Sequence, residues 1–251
     1  RRPGTTVLIE DVAFPLKELP EATADLQELL VTNEYHDACI YGHALEGNFH
    51  FIISQSFDSP EQVARYEKLM DEVKTLVVDK YDGSLKAEHG TGRNMAPFVK
   101  YEWGEKAYGF MKAVKELFDP KGLLNPGVIF NEDPHCHLKH FKPMPLTNAH
   151  VDKCIECGFC EVNCLTCGFS LSSRQRIVIQ REISRLKKLS DTESSERLKT
   201  LQKQYKYLGN ATCAGDGLCS MSCPMGINVG DLTHDIRQEN LPEKSIGYKT
   251  G

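Results

Sequence analysis

The sequence has no excess of positive charge: 30 Lys and Arg stand against 35 Asp and Glu, a formal net charge of −5. The electrostatic footprint of a general nucleic-acid binder is therefore missing, and no nucleic-acid partner is expected. No apolar run approaches the roughly 18 residues a membrane-spanning helix needs, so no transmembrane segment is expected either. No secretory signal opens the chain, and neither does a methionine. The start at Arg1 leads to the expectation of a middle fragment of a longer polypeptide. Cysteine is almost absent from the first 135 residues, which hold only Cys39. Wholesale disorder is excluded, because 40% of residues are hydrophobic and 26% charged, as in ordinary globular proteins.

What the first half lacks, the second half has. Eight of the ten cysteines fall between Cys154 and Cys223. A disulfide-stapled secreted protein would be shorter and would spread its cysteines more evenly, so clustering suggests metal ligation in a reducing compartment. The expected location is the cytoplasm, with peripheral association at the inner face of the membrane left open. The shift in composition also proposes a boundary, with residues 1–130 as one domain, 131–150 as a linker and 151–251 as a second domain.

The first half alternates between strand and helix patterns. Residues 7–14 read as a strand stopped by Pro15, and 20–30 have helical apolar spacing. Residues 38–43 and 49–54 are β-prone and joined by the turn-like 45–48, which predicts a hairpin. Ser59-Pro60-Glu61 is a strong helix start, with the pattern running to about Lys80. A further helix runs from Tyr101 to Phe118. The mix predicts an α+β domain, with helices packed on an antiparallel sheet. Around Pro134, Pro143 and Pro145 periodicity disappears, and His135, His137, His140 and His150 read as parts of a solvated linker. Beyond it the pattern is all-α, with an αα-hairpin broken at Ser190-Asp191-Thr192. The Lys/Arg run between Arg174 and Lys206 reads as mostly the wet face of those two helices and not as a binding stripe.

Cys154-x2-Cys157-x2-Cys160-x3-Cys164 has the spacing by which thiolates wrap a cubane iron–sulfur cluster, the fourth cysteine ligating a second cluster. Cys213, Cys219 and Cys223-Pro224 repeat the pattern at +6 and +10, but the residue at +3 is Asp216. By analogy with two-cluster ferredoxins, Cys154, Cys157, Cys160 and Cys223 hold cluster one, and Cys213, Cys219 and Cys164 hold cluster two. Structural zinc usually pairs two Cys-x2-Cys knuckles and does not use a run of four with these gaps. Asp216 can ligate iron, can leave a three-iron cluster in place of a four-iron one, or can simply form a turn before Gly217. Cys167 is spare, either a substitute ligand or a free thiol.

His43 and His50 flank the predicted hairpin turn, so their imidazoles can face each other across it. Glu88-His89-Gly90-Thr91-Gly92 has two glycines that permit close backbone approach to a ligand. Two His and one carboxylate make a divalent-metal site with open positions.

These pieces carry a family resemblance. Residues 1 to about 130 resemble the C-terminal cap domain of FAD-linked oxidases of the vanillyl-alcohol oxidase superfamily, of the D-lactate, glycolate and D-2-hydroxyglutarate dehydrogenase type. The matching motifs are His-x-Gly-Asp-Gly-Asn-x-His at 43–50, Glu-His-Gly-x-Gly at 88–92, and Asp119-Pro120-Lys121-Gly122-Leu123-Leu124-Asn125-Pro126-Gly127. The chain departs at Leu45 and Glu46, where the family has Gly and Asp. Residues from about 150 to 235 resemble the α-helical dicluster ferredoxin module fused to such oxidases. The resemblance implies a ferredoxin-like cap in which His43, His50 and Glu88 bind a divalent metal such as zinc, His89 is the general base, and Asn125 lies near the flavin. It further implies FAD on a separate N-terminal domain, a cysteine-rich C-terminal domain in the same full-length chain, a small 2-hydroxyacid as substrate, and a quinone or electron-transfer protein as acceptor. On this reading the isolated fragment is inactive. The alternative is an electron-transfer module with a vestigial cap and no substrate site. A metal-dependent hydrolase built on the His/Glu set would leave the clusters without a role.

Overall fold

The computed structural model describes residues 2–241. The chain divides into two compact units, one running from Thr6 to Pro143 and the other from Met144 onward together with the residues before Thr6.

The first unit is built on a three-stranded antiparallel sheet of β1 (Thr6–Ala13), β2 (Cys39–His43) and β3 (Asn48–Gln55), in the order β1-β3-β2. Its helices are α1 (Leu19–Thr32), α2 (Pro60–Lys74) and α3 (Ala96–Phe118). Alternation along the strands gives the sheet two unlike faces. Leu8, Val12, Phe51 and Ile53 lie on one face and pack with Leu26 and Leu30 of α1 and Leu69, Met70 and Val73 of α2 to form the core. The other face carries Asp11 and His50, which are direct partners across β1 and β3, and Tyr41, the partner of His50 on β2.

Helix α2 starts where the sequence says it should, with the Ser59 side chain accepting the Gln62 N–H and Pro60 in the first turn. It passes into wider π-type turns from Thr75 to Lys80, so its last third is not α-helix. Helix α3 begins five residues earlier than the apolar spacing indicates. Its axis is interrupted at Gly104, whose φ of 73° no helix accommodates. The segment after α3 is no wet linker up to Pro143. His137 is buried against Phe98, and the Phe141 ring stacks on Phe57 at 3.7 Å between centroids. Burial pushes the His137 imidazole below its ordinary pKa.

In the second unit, α4 (Ser173–Leu186) and α5 (Thr192–Tyr205) form the αα-hairpin, and α6 (Val229–Glu239) closes the unit. Ser172 and Gln175 make a reciprocal capping box at the start of α4, and Asp191 caps α5 by accepting the Ser194 N–H. Most of the basic run is solvated, but Arg176 and Arg181 are 1% and 4% exposed. They share a helical face with Ser173 and Ile177 and are the two exceptions in a run that is otherwise mostly a wet face. No helix among the described residues is long and apolar enough to cross a membrane.

Candidate functional site

On the open face of the first unit, the hairpin puts two imidazoles side by side. His43 pairs with Asn48, two residues before His50 on the same strand, so both side chains project from one face. The turn between them is tight. Gly47 has a φ of +69°, and a Cβ there would lie 2.2 Å from the carbonyl oxygen of Phe14. Leu45, one of the two departures from the family motif, is 88% exposed at this turn. The substitution changes the surface and leaves the glycine that sets the turn.

Glu88 comes from a different part of the chain, and Asp11 holds it there. One Asp11 carboxylate oxygen accepts the backbone N–H groups of Ala87, Glu88 and His89, at 3.0, 2.6 and 3.1 Å. Ser84 bridges Ala13 just upstream, with both hydrogen bonds at 2.9 Å. Burial alone would raise the Asp11 carboxyl, but those N–H groups and the Lys86 ammonium outweigh it and hold it below the ordinary carboxylate range. Asp11 is thus a charged clamp, wholly buried, that fixes the loop carrying the next two residues.

Glu88 Oε1 lies 3.1 Å from His43 Nε2 and 3.0 Å from His50 Nε2. Metal ligands at about 2.1 Å from one ion, spread at 90–110°, stand roughly 3.0–3.4 Å apart. The carboxylate-to-imidazole spacings therefore suit one divalent ion, and two imidazoles with a carboxylate are a donor set of matching chemistry. His89 stands beside this cage. Its ring stacks on His50 at 4.5 Å and 4°, with Nδ1 3.8 Å from Asp11 and Nε2 4.0 Å from Glu88. Asp11, His50 and His89 also converge closely, but the Asp11 oxygens are engaged by backbone N–H groups and Lys86, so Asp11 braces the cage.

Asn125 lies outside the cage, at the tip of the third motif, in the left-handed conformation with φ 45°. Asp119 shapes this loop by accepting the N–H groups of Leu123 and Leu124, at 2.9 and 2.8 Å, and the Lys115 ammonium at 2.6 Å. The Ile129 N–H donates to the Gly92 carbonyl, which ties the segment just after the third motif to the second motif.

In the second unit the cysteines sort into two cavities. Cys154, Cys157, Cys160 and Cys223 line one. Cys164, Cys213, Asp216 and Cys219 line the other. The two loops are near copies. Cys157-Gly158 and Asp216-Gly217 each place a left-handed glycine before a short 3-10 turn, Phe159–Asn163 or Leu218–Ser222. Each turn carries the cysteine of the third motif position, Cys160 or Cys219, and then delivers that of the fourth, Cys164 or Cys223, to the opposite cavity. Four convergent sulfurs in one cavity, and three with a carboxylate in the other, fit two iron–sulfur clusters. Burial pushes the thiols of Cys154, Cys160 and Cys219 up, and iron supplies the charge that stabilises such buried thiolates. Burial would also raise the Cys164 thiol. The Thr166 hydroxyl and N–H, the Ser173 N–H and the Arg176 guanidinium outweigh it and hold Cys164 below its ordinary value. Asp216 is exposed, and its Oδ1 accepts the Leu218 N–H at 3.1 Å, so it caps its own turn while lining the cavity. Cys167 lines neither cavity and is exposed.

Sequence reading missed Asp11, Arg176 and Arg181. The available signal for Asp11 was an acid pair, Glu10-Asp11, in the middle of a strand that is otherwise apolar.

A helix-backed sheet followed by a helical unit with two cysteine-lined cavities is the architecture of a modular redox protein. The chain belongs to the family of FAD linked oxidases, C-terminal domain, which matches residues 1–129. Residues 150–227 match the 4Fe-4S dicluster domain. Among curated relatives, the glycolate oxidase subunit GlcD of Bacillus subtilis is 27% identical over 128 residues, covering 51% of this chain and 27% of that protein. The probable mitochondrial D-lactate dehydrogenase of Danio rerio is 30% identical over 128 residues, 51% of this chain and 25% of that protein. The D-2-hydroxyglutarate dehydrogenase of Stutzerimonas stutzeri is 33% identical over 124 residues, 48% of this chain and 26% of that protein. The chain thus spans about a quarter of the length of these relatives.

Proposed function

We propose that this chain supplies the substrate-side cap and the electron relay of a flavin- and iron–sulfur-dependent D-2-hydroxyacid dehydrogenase, of the D-lactate or D-2-hydroxyglutarate type. The observation that carries the reading is the convergence of His43 and His50 on one oxygen of Glu88, with His89 stacked alongside. A cap with no substrate site has no need of this intact donor set, which weighs against the relay-only alternative.

His43, His50 and Glu88 hold a divalent metal such as zinc. When bound, such a metal would supply Lewis-acid chemistry to the substrate's carboxylate and hydroxyl, lowering the hydroxyl pKa, and FAD on a separate domain would supply hydride-accepting chemistry. His89 takes the hydroxyl proton on Nε2, the nitrogen turned toward Glu88, as the hydroxyacid becomes the ketoacid. Asp11 faces the other ring nitrogen and stabilises the imidazolium that forms. Asn125 lies toward the flavin, at the tip of a loop whose shape Asp119 sets. Cys154, Cys157, Cys160 and Cys223 hold one cluster, and Cys164, Cys213, Cys219 and Asp216 the other, the latter in the four-iron or the three-iron form. Electrons leave to a quinone or an electron-transfer protein. The FAD-binding domain and a cysteine-rich C-terminal domain are the partners within the full-length chain, which works in the cytoplasm or at the inner face of the membrane.

Metal analysis of variants of the full-length enzyme tests the cap. His43→Ala and His50→Ala should lose most of the metal together with turnover. His89→Ala should keep the metal and lose about 100- to 10,000-fold in kcat. Full turnover by metal-free enzyme would refute the mechanism.

A further inference from the structure

Arg176 is the least expected side chain in the second unit: a guanidinium only 1% exposed, close to the second cysteine cavity. Its Nε donates to the Gly209 carbonyl at 2.6 Å, and Nη2 donates to the hydroxyls of Thr166 and Thr212 at 3.0 and 3.1 Å. Nη1 points at the Cys164 sulfur, 3.7 Å away. The oxygens it meets are all neutral, and no carboxylate among the described residues forms an ion pair with it. Guanidinium keeps its charge at every working pH, and a buried charge is retained where something of opposite sign compensates it. The partner in reach that can carry negative charge is the Cys164 sulfur.

The first cavity is wired differently. Arg181, also buried, makes a 2.6 Å ion pair with Glu156 and donates to the carbonyls of Asp152 and Cys154. At Cys154 the Arg181 charge is opposed by that of Glu156. Arg174, which lines the first cavity, is likewise paired, with Glu161 at 3.2 Å. The two near-symmetric loops therefore sit in unlike fields, one beside neutralised pairs and the other beside a cation with no carboxylate partner.

We propose that Arg176 is the built-in counter-charge of the Cys164–Cys213–Asp216–Cys219 site and raises the reduction potential of the cluster held there, while the Arg181–Glu156 pair leaves the first cluster without such a lift. The inference rests on the assignment of these residues as cluster ligands. Reduction adds one electron to the cluster and changes no bond or proton at Arg176. The added negative charge interacts favourably with a fixed cation a few ångströms away, and the interaction is strong where water is excluded. Arg176 acts through the Cys164 sulfur and binds no iron, so it is a positioning residue.

The test is an anaerobic, dithionite-driven redox titration of the full-length protein, followed by electron paramagnetic resonance, with iron and sulfide measured on every sample. At the wild-type midpoint of cluster two, Arg176→Gln should lower the reduced-to-oxidised ratio at least tenfold, about 59 mV for one electron. Arg176→Lys should restore most of it, and cluster one should not move. Glu156→Gln supplies the reciprocal arm by uncovering the charge of Arg181, and should raise the midpoint of cluster one alone. If Arg176→Gln fails to fold, the Lys and Glu156→Gln variants still decide. Equal shifts in both clusters, or unshifted midpoints with iron retained, would overturn the proposal. Wild-type protein that binds no iron or sulfide would instead overturn the ligand assignment beneath it.

Discussion

Asp119 and Asp216 show how single carboxylates shape the two kinds of loop. The Lys115 ammonium, with the Leu124 and Leu123 N–H groups, depresses the Asp119 carboxyl to about 2. A depressed carboxylate contributes stability that is fully present above its unfolded pKa of about 3.9 and lost as pH falls through the folded value. The stability difference between wild type and Asp119→Asn should therefore shrink as pH falls from about 4 to about 2, in acid-unfolding curves. A difference independent of pH across that window would show that the charge plays no part. Asp216 makes a different prediction. If its carboxylate replaces a cysteine ligand, cluster two is the one that readily loses an iron, and oxidised protein shows a three-iron resonance. Asp216→Cys should diminish that signal, and an unchanged spectrum would count against ligation by this residue. The hydrogen bond to Leu218 gives Asp216 a turn-forming role in either case. The sequence pattern alone could not separate these roles, because one Asp-Gly pair serves both.

At the scale of elements, the hairpin and the capped helices were legible because their signals are local. An apolar, β-prone run after a turn marks β3, Ser59-Pro60 marks the start of α2, and Asp191 marks the start of α5. Features set by distant partners were not legible. The π-type turns after Lys74, the early start of α3 and the buried setting of His137 depend on packing that no spacing reports. The same holds for the sites. Cage and cluster residues carry recognisable motifs, whereas Asp11 and Arg176 act on loops 76 and 12 residues away; an acid pair in an apolar strand is the one mark on Asp11, and nothing distinguishes Arg176 from surface charges. The hairpin offers a direct check. Gly47→Ala would place a Cβ 2.2 Å from the Phe14 carbonyl and force an L-residue to a φ of +69°. A backbone clash and left-handed strain together cost about 1–3 kcal/mol, so the variant should unfold at measurably lower denaturant and bind the divalent metal more weakly. Unchanged stability and affinity would mean that the turn does not set the His43–His50 spacing.

On the proposed reading, the whole molecule joins two chemistries that need different metals. The FAD linked oxidase family supplies the first half, and the 4Fe-4S dicluster domain the second. In the first unit, two imidazoles and a carboxylate suit a borderline divalent ion; in the second, seven thiols and a carboxylate are divided between two cavities. The division into two cavities carries the proposal that two clusters, and not one, are held. The measurement that bears on it most directly is iron, acid-labile sulfide and zinc per chain in anaerobically purified protein, taken with the visible absorption spectrum. The account predicts iron and sulfide well above the roughly four of each that one cubane holds, with broad visible absorption. Stoichiometric zinc in the cysteine unit, without sulfide and without visible absorption, would contradict it.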